Sequence, residues 1–290
     1  MLNWNGAALT AACMRSVDVA AGLASRVHLT KVVVDNGSTP ADRAQLVQCV
    51  EGADDWQLII SHQNRGFAGG MNYGLSSLDL QSIDRILFLN NDIILRPECL
   101  AELANHITQA TSEVISGVVL LNGDGRSLQT IGGYKYFPWL GLAHPIGAGK
   151  DPDGELIANS APDYISGALM LVSRSLLDRA GKIPDRNFLY FEELNLMRYM
   201  GRNETIGVCL RAFATHAGGK SAQNLSDNEN ASYYAALACF RYTASTAAYK
   251  LPSVIVARLL GLLIRSTRGK NTGELRAALK ALRYFLTESG

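Results

Sequence analysis

Between the apolar runs ILFL (residues 86–89) and IIL (93–95) the chain sets Asn90, Asn91 and Asp92. A carboxylate at the end of a buried strand offers a hard oxygen, the kind of donor Mg²⁺ takes alongside phosphate oxygens. Asn-Asn-Asp is also ordinary turn chemistry. Asp35, in VVVDNGST, ends another apolar run and either accepts hydrogen bonds from a ribose or base or caps the following turn. The loop Asn64-Arg65-Gly66-Phe67-Ala68-Gly69-Gly70 lets backbone approach a ligand closely, and its amides suit phosphate. It matches neither the dinucleotide fingerprint G-x-G-x-x-G nor the Walker pattern. Glu192 and Glu193 follow the aromatic run FLYF (188–191). Beside apolar surface one such carboxyl acquires a raised pKa suited to general-base work, although a solvated helix start uses the same residues. His216 follows an apolar run and gains a chemical role only where it meets Asp92 in space.

Such residues need a scaffold that gathers loop ends. Residues 31–34 (KVVV), 56–60 (WQLII), 86–89 (ILFL) and 114–121 (VISGVVLL) read as short buried strands. Between them 41–50, 69–78 and 97–110 read as helices, the last with Pro97 in its first turn. This alternation predicts an α/β fold, a mostly parallel sheet flanked by helices, with ligands beyond the carboxyl ends of the strands. The loops carrying Asp35 and Asp92 fall at that edge. Residues 128–163, punctuated by glycine and proline, read as loops or a small mixed insertion. Strand-like runs at 164–172 and 206–213 and a short helix at 175–180 follow; after about residue 228 the pattern turns helical, near 232–249, 253–265 and 273–286. The division expected is residues 1–228 and a C-terminal helical region, 229–290. At the start, Met1-Leu2 leads at once into the loop-like Asn3-Trp4-Asn5-Gly6, where a parallel sheet wants about five residues of strand. The expectation is a truncated or misassigned start, with an apolar run upstream.

At 290 residues, 48% hydrophobic and a formal net charge of +1, the chain is long enough to bury a large core and has no global field for nucleic acid or a strongly acidic partner. Five scattered cysteines without a Cys-x-x-Cys pair indicate neither a disulfide framework nor a zinc site, and fit a reducing cytosol. There is no basic leader and no uninterrupted apolar run near 18 residues, so neither signal peptide nor spanning helix is expected. From Lys250 onward eight basic residues stand against two acidic ones, a local net of +6. That suits packed helices with solvated basic faces, or peripheral contact with an anionic membrane.

Taken in order, NWNG, VVVDNGST, NRGFAGGMNYG, LFLNND, SGALMLVSRSLLDRAG, FLYFEE, THAGGKS and YYAALACFR resemble the bacterial family 2 glycosyltransferases of the GT-A fold, in particular the branch containing rhamnosyltransferases. The resemblance spans roughly residues 1 to 245. It implies a cytoplasmic inverting transferase, peripheral to the membrane at most, using Mg²⁺ or Mn²⁺. The sugar would pass from a nucleotide diphosphate donor, dTDP-rhamnose or a UDP-hexose, to a glycan or lipid-linked acceptor in cell-surface polysaccharide synthesis. By this resemblance Asp92 binds metal with His216 beside it, and Asp35 contacts the nucleoside. Asn3, Asn5, Asn36, Asn64, Gly66, Phe67, Asn72, Asn90 and Asn91 line the donor site. Glu193 is the base that takes the acceptor proton, with Glu192 beside it. Two features depart from the family pattern: Glu192-Glu193-Leu194-Asn195 stands where Glu-Asp-x-Asp is usual, and the amino terminus is short. They motivate a second reading, a donor-binding paralogue without transfer. A third, a sugar-1-phosphate nucleotidyltransferase, would need a glycine-rich, basic phosphate loop near the start, and the sequence has none there.

Overall fold

In the computed structural model residues 1–152, 154, 161–217, 225–267 and 272–288 are described, the side chains of 225–228 excepted. The chain runs β1 (Leu2–Asn3), α1 (Ala7–Leu23), β2 (Lys31–Asn36), α2 (Pro40–Glu51), β3 (Trp56–Ser61), α3 (Gly66–Leu75), β4 (Arg85–Leu89), β5 (Ile93–Leu95), α4 (Cys99–Gln109) and β6 (Glu113–Asn122). There follow β7 (Leu128–Ile131), β8 (Gly133–Phe137), β9 (Leu142–Pro145), β10 (Tyr164–Ile165), β11 (Leu169–Ser173), α5 (Arg174–Ala180), α6 (Glu192–Met197), β12 (Thr205–His216) and the helices α7 (Leu225–Ala247), α8 (Leu251–Thr267) and α9 (Gly273–Glu288).

The parallel set β1-β2-β3 meets β4-β11-β6-β12-β5 through a parallel bridge between Leu2 and Asn90. Because β11 is antiparallel to both β4 and β6, those two run together, and β12 is parallel to β6. Along this line only β11 and β5 run against the rest, which is the mostly parallel sheet expected. Strand alternation supplies a core on each face. Leu87 and Leu89 point to Cys13, Val17, Leu100 and Leu103 of α1 and α4, while Ile86 and Phe88 point to Ala68, Met71 and Leu176 of α3 and α5. Helices α7 to α9 close on a core of their own around Phe240, Val254, Ala281 and Phe285.

Some elements differ from the sequence reading. Helix α1 was not expected; its small buried residues Ala7, Cys13 and Ala20 let it lie close on the sheet. Helix α3 starts three residues before the predicted 69–78, since the glycines themselves are helical. A Cβ at Gly70 would lie 2.6 Å from Leu2 Cδ1, and one at Gly74 would lie 2.5 Å from Val34 Cγ2. Residues 164–172 split into β10 and β11, and β8 and β9 of the 128–163 insertion form an antiparallel sheet with β10, in the order β10-β8-β9. The stretch Glu229–Thr267 is also long and apolar enough, by length and composition alone, to cross a membrane. No such stretch was expected from the sequence, where Arg258 and Arg265 interrupt the apolar run; α7 continues through the short 3-10 turn Ala248–Lys250 into α8.

Candidate functional site

The carboxyl ends of β1, β2, β4, β6 and β12 bring Asn3, Asp35, Asn36, Asn90, Asn91, Asp92 and His216 to one edge. Register fixes the last pair, since His216 lies opposite Ile93 on one side and Asn122 on the other. His216 Nε2 stands 3.2 Å from Asp92 Oδ1, and Nδ1 stands 2.7 Å from Gln129 Oε1. With Nδ1 donating to that carbonyl, a neutral imidazole turns its Nε2 lone pair toward the carboxylate. Two acceptors at that distance can share a cation. Among the described residues no three His, Cys, Asp or Glu side chains gather as a metal cage. An oxygen donor with one imidazole fits a divalent ion that takes its other ligands from water and substrate phosphate.

The acidic pair sits on a distorted turn. Tyr190 and Phe191 both have left-handed backbone, φ +76° and +68°, a conformation costing about 1 kcal/mol or more per non-glycine residue. Asn195 supports it: its backbone N–H and its Nδ2, at 2.8 Å, both donate to the Phe191 carbonyl. An aspartate there could accept but not donate, so the departure from Glu-Asp-x-Asp has a structural use. Burial raises the Glu193 carboxyl above its ordinary range, opposed by the Gly167 N–H that it accepts. A Cβ at Gly167 would lie 1.9 Å from Glu193 Oε1, so only glycine permits this approach. The next residue, Ala168, accepts the Asn90 N–H at 2.9 Å, which ties the Glu193 seat to the Asn90-Asn91-Asp92 turn. Glu192 is buried deeper; burial first and Glu193 second push its carboxyl well up, and its Oε1 has no hydrogen-bond partner among the described residues.

The remaining predicted residues mostly hold the framework. Asp35 is fully buried, with Oδ2 2.7 Å from Arg43 Nε. Asn3 donates to Asp42 Oδ2 at 3.0 Å and Ser38 Oγ at 3.1 Å, and accepts from Thr10 and Asn91. Asn5, at φ +52°, accepts the Thr39 N–H. Asn36 donates to Asn64 and to the Gly66 carbonyl. The loop amides expected to face phosphate are engaged: those of Arg65, Gly66 and Phe67 donate to Asn36 Oδ1, Asn64 Oδ1 and the Phe188 carbonyl. Gly66, at φ +73°, is needed because a Cβ would lie 2.1 Å from the Phe188 oxygen. Asn72 staples α3 to Ile183 through both backbone groups and lines a cleft with Arg65, Arg174 and Lys182 that none of Asp92, Glu193 and His216 borders. Gly218, Gly219, Lys220 and Ser221 of THAGGKS lie outside the described residues.

Arg43, Gln129 and Gly167 were missed. Only Arg43 left a trace in the sequence, since a buried aspartate requires a cation and Arg43 stands in the first turn of the next helix. Arg43→Ala is expected to lower the unfolding free energy by about 3 kcal/mol by stranding Asp35. Urea denaturation checks this; a loss below about 1 kcal/mol would mean Asn3 and Ser38 suffice.

The glycosyl transferase family 2 model matches residues 6–153, half of the chain. The chain belongs to glycosyl transferase family 2. A curated family relative, the low-salt glycan biosynthesis hexosyltransferase of Haloferax volcanii, is 32% identical over 181 residues, 61% of this chain and 54% of the relative. The chain thus spans about half the length of that relative. Among solved structures, a mannosyltransferase from Pyrobaculum calidifontis in complex with GDP-Man and Mn²⁺ superposes with a TM-score of 0.57 at 15% identity, covering 98% of this chain and 78% of that one. GalNAc-T7 with UDP, GalNAc and Mn²⁺ gives 0.53 at 13% identity, over 96% and 55% of the two chains. At these identities the likeness establishes the fold, which is GT-A.

Proposed function

We propose that this family 2 member transfers a hexosyl group from a nucleotide diphosphate sugar to a hydroxyl of a glycan or lipid-linked acceptor, with inversion. Residues 1–228 would form the donor-binding and catalytic region. The observation that carries the reading is the 3.2 Å contact between Asp92 and His216, next to an Asn90 turn whose N–H bonds Ala168, the neighbour of the Gly167 that seats Glu193. Asp92 and His216 would hold Mg²⁺ or Mn²⁺, which when bound supplies charge stabilisation to the departing diphosphate. Glu193, its carboxyl raised and its oxygen fixed by the Gly167 N–H, would take the acceptor proton. Family membership favours a sugar donor over other nucleotides, and dTDP-rhamnose and UDP-hexoses remain the donors to test first.

The test is release of nucleoside diphosphate from a panel of nucleotide sugars, with and without acceptor, in Mg²⁺, Mn²⁺ or EDTA. Metal-dependent release from one donor is expected. Tight donor binding with no release under any condition would replace the transferase with the binding paralogue.

A further inference from the structure

Helix α8 and the β8–β9 hairpin leave an apolar surface without a protein partner among the described residues. On α8, Val256, Leu260, Leu263 and Ile264 repeat at i, i+4, i+7 and i+8 and are 44% to 63% exposed, whereas Val254 and Leu262 are sunk in the core shared with α7 and α9. A helix apolar on both faces needs cover on both. Beside it the hairpin holds Phe137, Trp139 and Leu142 half in solvent. The two are joined: Ser253 Oγ donates to the Trp139 carbonyl at 2.8 Å, and the Trp139 and Tyr249 rings meet at 5.7 Å.

The charge of this surface is one-sided. Neither residues 134–150 (YKYFPWLGLAHPIGAGK) nor 249–267 (YKLPSVIVARLLGLLIRST) contain an aspartate or glutamate. Lys250 Nζ lies 5.3 Å from the Trp139 ring and 5.4 Å from that of Tyr249. Among the described residues, Asp163 and Glu274 pair with Lys135 and Arg265, and Asp163 also accepts the Tyr136 N–H at 2.8 Å.

We infer that this surface docks on an anionic lipid bilayer, with Trp139 and Tyr249 at head-group level and α8 lying along the interface. An aliphatic stripe, paired aromatic rings and a net excess of cations, with Lys250 against both rings, are the combination that interfacial binding uses. A second copy would set these cations against their own kind. Helix α8 lies on the bilayer rather than across it because its inner face is already packed against α7 and α9. The inference stands apart from the transfer chemistry and survives whichever donor is used.

The experiment is co-sedimentation of the full chain with vesicles of phosphatidylcholine alone and of phosphatidylcholine and phosphatidylglycerol in equal parts, at low and high salt. Binding to the anionic vesicles that weakens with salt is expected. Leu260→Glu with Ile264→Glu should reduce it by about tenfold or more, and Trp139→Ala should reduce it by a smaller factor, with unchanged circular dichroism. Absence of binding by the wild-type chain, or equal binding by the double variant, overturns the inference. So does a wild-type dimer that the double variant makes monomeric without any vesicle binding, which would assign the face to a second copy.

Discussion

Glu193→Gln is expected to lower transfer turnover by about 10²–10⁴-fold while leaving donor affinity unchanged. The amide keeps the size of the side chain, so Gly167 and the α6 turn stay in place, and the proton acceptor alone is lost. The pH profile gives an independent reading. In the proposed mechanism ionised Glu193 is the working form, and burial holds its carboxyl above the ordinary range. Turnover therefore climbs with pH through an inflection higher than an exposed glutamate would give, then levels off. Stability moves the other way. Carboxyls raised in the folded state, Glu192 more than Glu193, favour folding fully below the unfolded carboxylate pKa and lose that contribution as pH rises through their folded values. Urea melts across the acid range should show this decline, blunted in Glu193→Gln. Undiminished turnover in the variant would move the base elsewhere.

Asp92→Ala should abolish metal-dependent release of nucleoside diphosphate, a loss of several kcal/mol of transition-state stabilisation, and should match the effect of EDTA on the wild-type chain. His216→Ala should be milder, raising the metal concentration for half-maximal rate, since a carboxylate, not an imidazole, carries the charge. Titrating Mn²⁺ against rate for both variants separates these outcomes. A wild-type rate indifferent to EDTA, with Asp92→Ala still active, would reduce the Asp92–His216 contact to an ion pair of the framework.

Much of this was legible in the chain because buried parallel strands are written as short β-branched runs that stop at polar residues. KVVV and ILFL placed Asp35 and Asp92 at the carboxyl-end edge of the sheet, where the structure has them, and the order of the motifs named the family. What the sequence withheld is contact across long separations. Nothing in LQTI at residues 128–131 announces that Gln129 will meet His216 eighty-seven residues later, because that pairing follows from the β6–β7 turn and the register of β12. Asparagines were the other difficulty. Asn3 and Asn36 look like ligand contacts on paper, yet a buried sheet edge must satisfy its own polar groups, and amides that both donate and accept do so economically; Asn72 does the same between α3 and Ile183. The glycines of NRGFAGG likewise serve close packing of α3 on the sheet as much as access.

The contact between Gly66 and Phe188 is made by main chain alone: a Phe67 N–H on the Phe188 carbonyl, with no room for a Cβ at position 66. It sets the spacing between the loop at the donor edge and the segment leading to Glu193. The spacing does not depend on the side chains at 67 and 188, which pack elsewhere, Phe67 on the core and Phe188 on Tyr234. Position 66 cannot drift, and in a saturation library it should stand out as intolerant although it bears no reactive atom.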